Sequence, residues 1–394
     1  MPKDLATEMS TAARGAAGFL YTGWCVDRWE GRALDGGKLS EAMASEGNRA
    51  GGYLDFEQKV AELEQQVDEL KKLGMKKGID YSVEIRRIEK DRIAELKRVY
   101  SSLTAWQTVQ VARHPQRPIL TDYLNLMIRD FRELHGDRCF GDDHAIVVGI
   151  GQIARKKVLI VGQNKGKTTK EKIACNFGCP NPEGYRKALA KMKFAEKFGL
   201  PIVTLIDTPG AYPGIGAEER GQAQAIAVNL TKMSRLKVPV ICICIGEGGS
   251  GGALGIAVGD RLAMLEFAYY SVISPEGCAA ILWRDGSQAP DAAQALKLTS
   301  KDLLKLGLID AIIPEPVGGA HRNIHDTVHS VESYISRTLA ELQQMKTEDL
   351  LEDRYRKWRS VGAGCTLRAG RRSSRIATVG RPATVRHSPS PASI

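Results

Sequence analysis

The residues best suited to chemistry form the glycine-rich run Gly246-Glu247-Gly248-Gly249-Ser250-Gly251-Gly252, which follows an apolar segment typical of a buried strand. As G-x-G-x-x-G, with Glu266 twenty residues after Gly246, the run predicts a dinucleotide site. As G-x-S-x-G, with Asp310 and His321 following in order, it predicts a serine hydrolase. As a glycine turn that opens a helix, it presents unpaired backbone N–H groups that can stabilise an oxyanion. The pattern alone leaves these three interpretations open.

The first two interpretations each meet a physical objection. A Rossmann crossover needs a helix of ten or more residues. Residues 250–258 provide about nine before Gly259 and Asp260 interrupt the pattern. For a hydrolase, Ser250 is equally well explained as a helix N-cap and His321 as a surface residue.

A second glycine-containing segment, Gly162-Gln163-Asn164-Lys165-Gly166-Lys167-Thr168, resembles a phosphate-binding loop, and Asp207-Thr208-Pro209-Gly210 resembles the aspartate turn of GTPases. The Walker pattern, however, places four residues between its glycines, whereas this segment has three. We therefore predict a solvated basic turn that attracts the phosphates of a ligand. Its lysines are Lys165, Lys167, Lys170 and Lys172.

Candidate metal ligands are sparse. Three histidines recur every four residues from His321 to His329, but an N-cap at Asn323 would leave the first of them outside the helix. Cys175 and Cys179 lack a second pair of ligands and are better explained by packing. We expect that this chain binds no metal.

The composition is that of a globular protein. The 394 residues are 43% apolar and 26% charged, which excludes disordered and collagen-like classes. No apolar run approaches the ~20 residues of a membrane span. The eight cysteines are scattered, so we expect a cytoplasmic protein with reduced thiols. Of the net charge of +10, residues 363–394 carry +6 and residues 1–52 carry −1, which leaves +5 on residues 53–362 and no reason to expect specific nucleic-acid binding.

The elements that must position these residues fall into five predicted segments. These are a loosely ordered extension (1–52), an N-terminal helical hairpin (53–118), an α/β core (119–314), a C-terminal helical segment (315–362) and a disordered basic tail (363–394). In the hairpin, apolar spacing predicts a helix over 56–70 that Gly74 and Gly78 end, and a second helix over 83–111. Near the C-terminus, one helix is expected from its N-cap Asn323 to about residue 357.

In the core, short apolar segments alternate with helical periodicity, which predicts an α/β fold. The predicted strands are residues 146–150, 158–161, 202–206, 238–245, 261–265 and 271–273. The predicted helices are residues 185–198, 218–232, 250–258 and 301–306. This order places the glycine run directly after the fourth strand.

Several blocks of the sequence resemble, in order and at matched intervals, the alpha subunits of the acetyl-CoA carboxylase carboxyltransferases of bacteria and plastids. The longest runs from Asp207-Thr208-Pro209-Gly210-Ala211-Tyr212-Pro213-Gly214-Ile215-Gly216 through Ala217-Glu218-Glu219-Arg220-Gly221, and the glycine run follows it. Shorter blocks are Arg113-His114-Pro115-Gln116-Arg117-Pro118, Ser271-Val272-Ile273-Ser274-Pro275-Glu276-Gly277, Gly318-Gly319-Ala320-His321-Arg322-Asn323 and Thr347-Glu348-Asp349-Leu350. The resemblance covers about residues 53–362.

The resemblance implies a crotonase-like ββα superhelix that works only with a separate beta subunit, in an α₂β₂ assembly. It implies a biotin-dependent enzyme that transfers the carboxyl group of carboxybiotin, held on a biotin carboxyl carrier protein, to acetyl-CoA. The product, malonyl-CoA, serves fatty acid synthesis, and biotin carboxylase belongs to the larger complex. The beta subunit of the family supplies most of the CoA site and usually a zinc ribbon.

The resemblance also assigns roles to residues of this sequence. Gly251 and Gly252 match the family's glycine pair, whose backbone N–H groups hold the biotin ureido oxygen, and we expect both to face the substrate space. The expected substrate-binding residues are Gly210, Tyr212, Gly214, Gly216, Gly248 and Gly249, with Lys165, Lys167 and Arg186 as candidates for contacts to CoA phosphates. The reaction requires no base, nucleophile or metal from this chain, since biotin itself can remove the proton of the thioester.

Overall fold

The computed structural model describes residues 52–362. The predicted basic tail over 363–394 and the predicted extension over 1–52, except for Gly52, lie outside the described residues. None of the helices within 52–362 is long and apolar enough to cross a membrane.

One mixed β-sheet organises the core. Its strands are β1 Arg129–Glu133, β2 Ile146–Ile153, β3 Lys156–Gln163, β4 Ile202–Thr208, β5 Val240–Gly249, β6 Arg261–Leu265, β7 Tyr269–Ser271 and β8 Ala311–Ile313. Their order is β1-β2-β3-β4-β5-β6-β8, with β7 paired to the end of β5. The first two pairings are antiparallel and the remainder are parallel. The carboxyl ends of β4 and β5 therefore meet at one edge of the sheet.

The two central strands are buried along their whole length. Parallel strands covered on both faces read as continuous apolar runs, which is why β4 and β5 were predictable. β5 ends four residues later than predicted, because Glu247 and Gly249 pair with Tyr269 and Ser271 of β7. The first glycines of the run are thus strand residues. β1, which has no apolar run and is mostly exposed, and the three-residue β8 were not predicted.

The α-helices of residues 52–362 are interspersed with these strands along the chain. They are α1 Gln58–Lys77, α2 Ser82–Ser101, α3 Ala105–Ala112, α4 Leu120–Met127, α5 Thr169–Ala174, α6 Pro182–Lys197, α7 Ile215–Glu219, α8 Gln222–Met233, α9 Ser250–Leu254, α10 Pro275–Trp283, α11 Ala289–Leu296, α12 Ser300–Lys305, α13 Ile324–Leu342 and α14 Thr347–Ser360.

Two predicted long helices are each divided in the structure. The helix over 83–111 is wrong as a single element, because Thr104 caps a new helix: its Oγ1 accepts from the Gln107 N–H at 3.2 Å, and Gln107 Oε1 accepts from the Thr104 N–H at 2.9 Å. The helix from Asn323 ends at Leu342, and α14 follows after a short break. The predicted N-cap is confirmed, since Asn323 Oδ1 accepts from the Asp326 N–H at 3.1 Å.

Two glycine positions also differ from expectation. Gly74 lies inside α1, which ends only at Gly78, where φ is 66° in the left-handed region that favours glycine. The helix predicted over 250–258 is the five-residue α9. Its N-cap is Gly249, so the N-cap interpretation of Ser250 is wrong.

The hairpin of α1 and α2 is joined to the rest of the chain by shared carboxylates. Arg92 of α2 donates to Glu64 Oε1 of α1 at 2.9 Å. Arg322, which precedes α13, donates to Glu64 and to the buried Glu57, both at 2.9 Å. One arginine therefore anchors the first helices to the C-terminal segment.

The last described helix is fixed by Arg354, whose side chain is fully buried. Its guanidinium donates to both carboxylate oxygens of Asp260 at 2.7 Å. It also donates to the carbonyls of Met233, Leu236 and Val238 at 2.7 to 3.0 Å. These bonds use all of the donors that a guanidinium has.

We predict that Arg354→Met lowers the free energy of unfolding by about 3–5 kcal/mol, because the buried Asp260 carboxylate then has no counter-ion. Urea unfolding of the full chain measures the change. The control is Arg356→Met in the same helix, which removes only a pair with Glu352 that is largely exposed, and should cost no more than about 0.5 kcal/mol. Equal losses for the two variants would contradict the assignment.

Candidate active site

The candidate site lies where β4 and β5 end side by side. The chain turns at Pro209 and Gly210 after β4, and enters α9 after β5. A Cβ atom on Gly249 would lie 2.1 Å from the Pro209 carbonyl oxygen, and one on Gly252 would lie 2.3 Å from the Ala211 nitrogen. Only glycine allows so close an approach, so the two turns pack backbone to backbone.

The predicted oxyanion pair, Gly251 and Gly252, has two different environments. A Cβ on Gly251 would meet only Ile226 Cδ1, at 4.0 Å, within the described chain. Gly252 is buried, and its carbonyl accepts from Gln163 Nε2 and from the Tyr185 hydroxyl, both at 2.9 Å. Gly251 therefore faces open space, whereas the expectation that Gly252 does so too is wrong. Both amides lie in the first turn of α9, where N–H groups have no partner within the helix.

Two carboxylates are buried beneath this turn, Asp207 on β4 and Glu247 on β5. Lys165, which follows β3, places its Nζ 2.7 Å from Asp207 Oδ1 and 2.5 Å from Glu247 Oε2. Arg113 Nε donates to Glu247 Oε1 at 2.7 Å, and the Tyr269 hydroxyl donates to the same oxygen at 2.6 Å. We call these five residues the ion network.

The ion network keeps Glu247 charged although it is buried. Burial alone would raise the pKa of Glu247, but Lys165 and then Arg113 outweigh it and lower the pKa to about 2. Burial alone would lower the pKa of the Lys165 ammonium, but the two carboxylates outweigh it and raise that pKa. Arg113 also donates to Glu276 of α10, which ties that helix to the site.

The three residues predicted to contact CoA phosphates have different surroundings. Lys165 is not part of a solvated basic turn, because its charge is held between two buried carboxylates. Lys167 is exposed but pairs with Asp122. Arg186 Nε donates to Asp137 Oδ2 at 2.8 Å. Each of the three candidates is thus paired with a carboxylate of this chain.

The predicted wall of the site is the loop between β4 and α7. Tyr212 is 39% exposed, and its N–H donates to the Pro180 carbonyl at 3.0 Å. A Cβ on Gly214 would lie 2.4 Å from the Tyr212 ring. Gly210 belongs to the same loop and Gly216 to the first turn of α7, and a substrate-binding role for these four residues stays a prediction.

Gly248, another predicted substrate-binding residue, has an evident packing role. A Cβ there would lie 2.3 Å from Cδ2 of the Tyr270 ring. Together with Gly249 it lets the strand end pass close to β7 and to Pro209. Whether either glycine also contacts substrate stays a prediction.

The hydrolase interpretation fails on geometry. Ser250 is exposed, with a left-handed φ of 51°, but Asp310 accepts from the Leu262 N–H at 2.6 Å, and no hydrogen bond joins the three residues in the described chain. The ring of His321 stacks on His114 at 3.9 Å. Burial, and then His114, lower the pKa of His321 to about 2. His321 is therefore a neutral, half-buried ring and not the surface residue that was expected.

The structure supports neither the dinucleotide-binding interpretation nor the metal-binding one. A five-residue α9 is too short for a Rossmann crossover. His321 lies outside α13, as its N-cap Asn323 predicted. Between residues 52 and 362, no group of three metal-ligating side chains is assembled. Burial raises the pKa of both Cys175 and Cys179 to about 11, so their thiols stay protonated.

The sequence reasoning missed the ion network. Arg113 and Glu276 lie in sequence blocks that indicate only the family, and no pattern singles out Tyr269. A signal was available at Glu247, since a charged residue inside a run predicted to be buried needs a counter-ion. The sequence offered no way to choose which lysine or arginine supplies it.

Known proteins with similar sequences identify the family of this chain. Residues 53–362 match the family model described as acetyl co-enzyme A carboxylase carboxyltransferase-like. The acetyl-coenzyme A carboxylase carboxyl transferase subunit alpha of Rhodopirellula baltica is 56% identical over 313 residues, which is 79% of this chain and 98% of that protein. The corresponding subunit of Halorhodospira halophila is 51% identical over 310 residues, with 79% and 98% covered. The solved transcarboxylase 12S structure aligns at a TM-score of 0.44 with 21% identity, covering 54% of this chain and 41% of that one.

The mixed sheet, its helices and the match over residues 53–362 define an α/β protein of the carboxyltransferase class, as the resemblance predicted. At more than half identity over almost the whole length of these relatives, the chain belongs to the acetyl-CoA carboxylase carboxyltransferase alpha-subunit family.

The depressed pKa of Glu247 predicts an acid-labile fold. Since the folded pKa is about 2 and the ordinary value is 4.5, the stabilisation is complete above pH ~5 and falls as the pH drops towards 2. The Glu247 contribution should be about 2 kcal/mol smaller at pH 3 than at pH 7. Urea unfolding of the wild type and of Glu247→Gln at both pH values measures it, because the gap between the two proteins should narrow by that amount on acidification. A gap independent of pH would exclude an ionised Glu247.

Proposed function

We propose that this chain is the alpha subunit of an acetyl-CoA carboxylase carboxyltransferase, which transfers a carboxyl group from carboxybiotin to acetyl-CoA and yields malonyl-CoA for fatty acid synthesis. The observation that carries the proposal is the match of residues 53–362 to relatives with that name, at 51% to 56% identity. The glycine turn of α9 supports it, because it offers what the reaction needs: backbone donors with no ionisable side chain among them.

The turn fits a biotin ring. A flat ureido group must approach the backbone closely, and the position of a Gly251 side chain is open except for Ile226 Cδ1 at 4.0 Å. Ser250 beside it is exposed, and so in part is Tyr212 of the facing loop. When bound, carboxybiotin would supply the carboxyl group, and the biotin that remains would accept the proton of the thioester.

The chain's contribution is to hold negative charge on oxygen. The N–H groups of Gly251 and Gly252 are assigned to the ureido oxygen, as donors at the positive end of a helix dipole. The packing of Gly252 on Ala211, and the two hydrogen bonds to its carbonyl, hold its backbone in place. Such donors need no reorganisation during the reaction, and one is worth ~3–4 kcal/mol where it has been removed from an enzyme.

The site is completed by other proteins. The lysines and the arginine predicted to contact CoA phosphates pair with this chain's own carboxylates. We therefore assign most of the CoA site to a beta subunit in an α₂β₂ assembly, with the biotin delivered by a biotin carboxyl carrier protein and recharged by biotin carboxylase. Acetyl-CoA would bind between the subunits.

A reducing compartment, the cytoplasm, suits the thiols. The six cysteines within residues 52–362 are all free, and Cys242 and Cys244 lie buried in β5. Burial raises the pKa of both thiols to about 12, so they behave as small apolar residues.

We predict that Gly251→Val lowers kcat by at least ~10²-fold, because the side chain fills the space above the turn and keeps the ureido oxygen from the amides. The melting temperature should stay within a few degrees of wild type, since no atom lies nearer than 4.0 Å to the new Cβ. Carboxyl transfer by the assembled enzyme and thermal unfolding are the two measurements.

Two further glycine variants serve as comparisons for Gly251→Val. Gly286→Val, at an exposed position with nothing within 4 Å, should change neither quantity. Gly252→Val should lower both stability and activity, because its Cβ would collide with the Ala211 backbone at 2.3 Å. Near wild-type transfer by Gly251→Val would remove the oxyanion assignment.

The function itself is tested by reconstitution. The purified chain should make no malonyl-CoA alone, and should do so once a beta subunit and carboxylated carrier are added, because one turn provides an oxyanion site for only one of the two reactants. A serine-directed phosphonate should leave Ser250 unlabelled. Robust transfer by the single chain, or no transfer after assembly with the beta subunit, would overturn the proposal.

A further inference from the structure

A cleft of about 460 Å³ lies away from the glycine turn, between the β1–β2 connection and α6. Its lining residues are Glu133, Leu134, His135, Gly136, Arg138, Asp142 and Lys191. Nothing in the proposed carboxyl transfer uses these residues, yet ionisable side chains make up most of the lining.

The negative charge nearest the cleft is already committed. Asp142 Oδ1 accepts from Nζ of the fully buried Lys187 at 2.5 Å and from the Gly136 N–H at 3.1 Å, and Asp142 Oδ2 lies 2.9 Å from His135 Nδ1. These contacts hold the pKa of Asp142 well below its usual range, against the opposing effect of burial. The other carboxylate, Glu133, lies 3.5 Å from His135 Nδ1.

The two remaining cations of the cleft, Arg138 and Lys191, form no salt bridge with a carboxylate of the described residues. Nζ of the half-buried Lys191 makes one long hydrogen bond, 3.4 Å, to the carbonyl of Gly136. Arg138 is exposed, in a left-handed backbone conformation with φ at 62°. Burial lowers the pKa of Lys191, and the positive charges of Arg138 and then Lys187 lower it further.

An uncompensated pair of cations in a cleft is the electrostatic condition for binding an anion. Surface lysines normally extend into water, where their charge is solvated. Here the ammonium is held against the β1–β2 connection near a guanidinium, and the Asp142 carboxylate, which Lys187 holds, offsets the positive charges only in part. An anion with charge −2 and several oxygens would satisfy both groups at once.

We propose that Arg138 and Lys191 form a binding site for a phosphate monoester dianion. The guanidinium offers paired N–H donors to two phosphate oxygens, and the ammonium acts as a point charge on a third. Two sources share this chemistry: a free phosphate compound, and the 3′-phosphate of coenzyme A. The cleft takes part in no step of the transfer, so its occupancy affects binding and leaves the chemistry at the glycine turn unchanged.

The test is direct binding to the full chain, which requires no carboxyl transfer and therefore stands apart from the proposed function. Inorganic phosphate and adenosine 3′,5′-bisphosphate are titrated separately by calorimetry at low ionic strength. We expect one saturable site, with affinity at least ~10-fold weaker in Arg138→Gln and in Lys191→Gln. Lys193→Gln, an exposed lysine two positions further along α6, is the matched control and should bind within twofold of wild type.

Thermal unfolding separates a binding role from a structural one. Phosphate should raise the melting temperature of the wild type and of Lys193→Gln, and should not raise that of Lys191→Gln, since ligands stabilise only the state that binds them. Without phosphate, Lys191→Gln should melt no lower than wild type, because it removes a repulsion from Arg138. If Lys191→Gln binds as Lys193→Gln does, or if no saturable binding occurs, the site does not exist.

The source of the phosphate follows from steady-state kinetics of the assembled enzyme. If the coenzyme supplies it, the bisphosphate binds tighter than phosphate, and Lys191→Gln raises KM for acetyl-CoA about 10-fold with kcat unchanged. If a free phosphate compound supplies it, KM is unchanged while phosphate binding is lost. Both results support the site and differ only in its ligand.

Discussion

Two carboxylates buried side by side, at the ends of neighbouring parallel strands, impose the main constraint on this molecule. An isolated buried charge would cost several kcal/mol, so Asp207 and Glu247 require cations that the strands themselves cannot supply. Lys165 follows β3, and Arg113 follows α3, more than 130 residues before Glu247 in sequence. The glycine turn lies directly above this arrangement, so its support includes a residue that is far from it in sequence.

The sequence was most informative where one local interaction decides the structure. The buried strands β4 and β5 are continuous apolar runs, and Asn323 caps α13 as its position indicated. It was less informative where two local preferences compete: Thr104 with Gln107 forms a capping box that ends a helical pattern otherwise unbroken in its periodicity.

Contacts through space were beyond a one-dimensional pattern. The difference between Gly251 and Gly252 arises from the backbone of Gly210 and Ala211, which approaches one of them and not the other. Likewise Lys165 is indistinguishable in sequence from the exposed lysines around it, and only the sheet order brings it between two carboxylates. The resemblance to a family supplied the glycine pair as a unit, whereas the structure separates a residue that faces open space from one that positions it.

The hydrogen bonds that Arg354 makes affect how the chain folds while it is being synthesised. Until Arg354 has been synthesised, the carbonyls of Met233, Leu236 and Val238 and the carboxylate of Asp260 lack the partner that they have in the folded protein. The connection from α8 to β5 therefore gains its last hydrogen bonds only once residue 354 has been synthesised. A chain that ends before that residue has unpaired acceptors at this connection, and proteases can distinguish it from the complete fold.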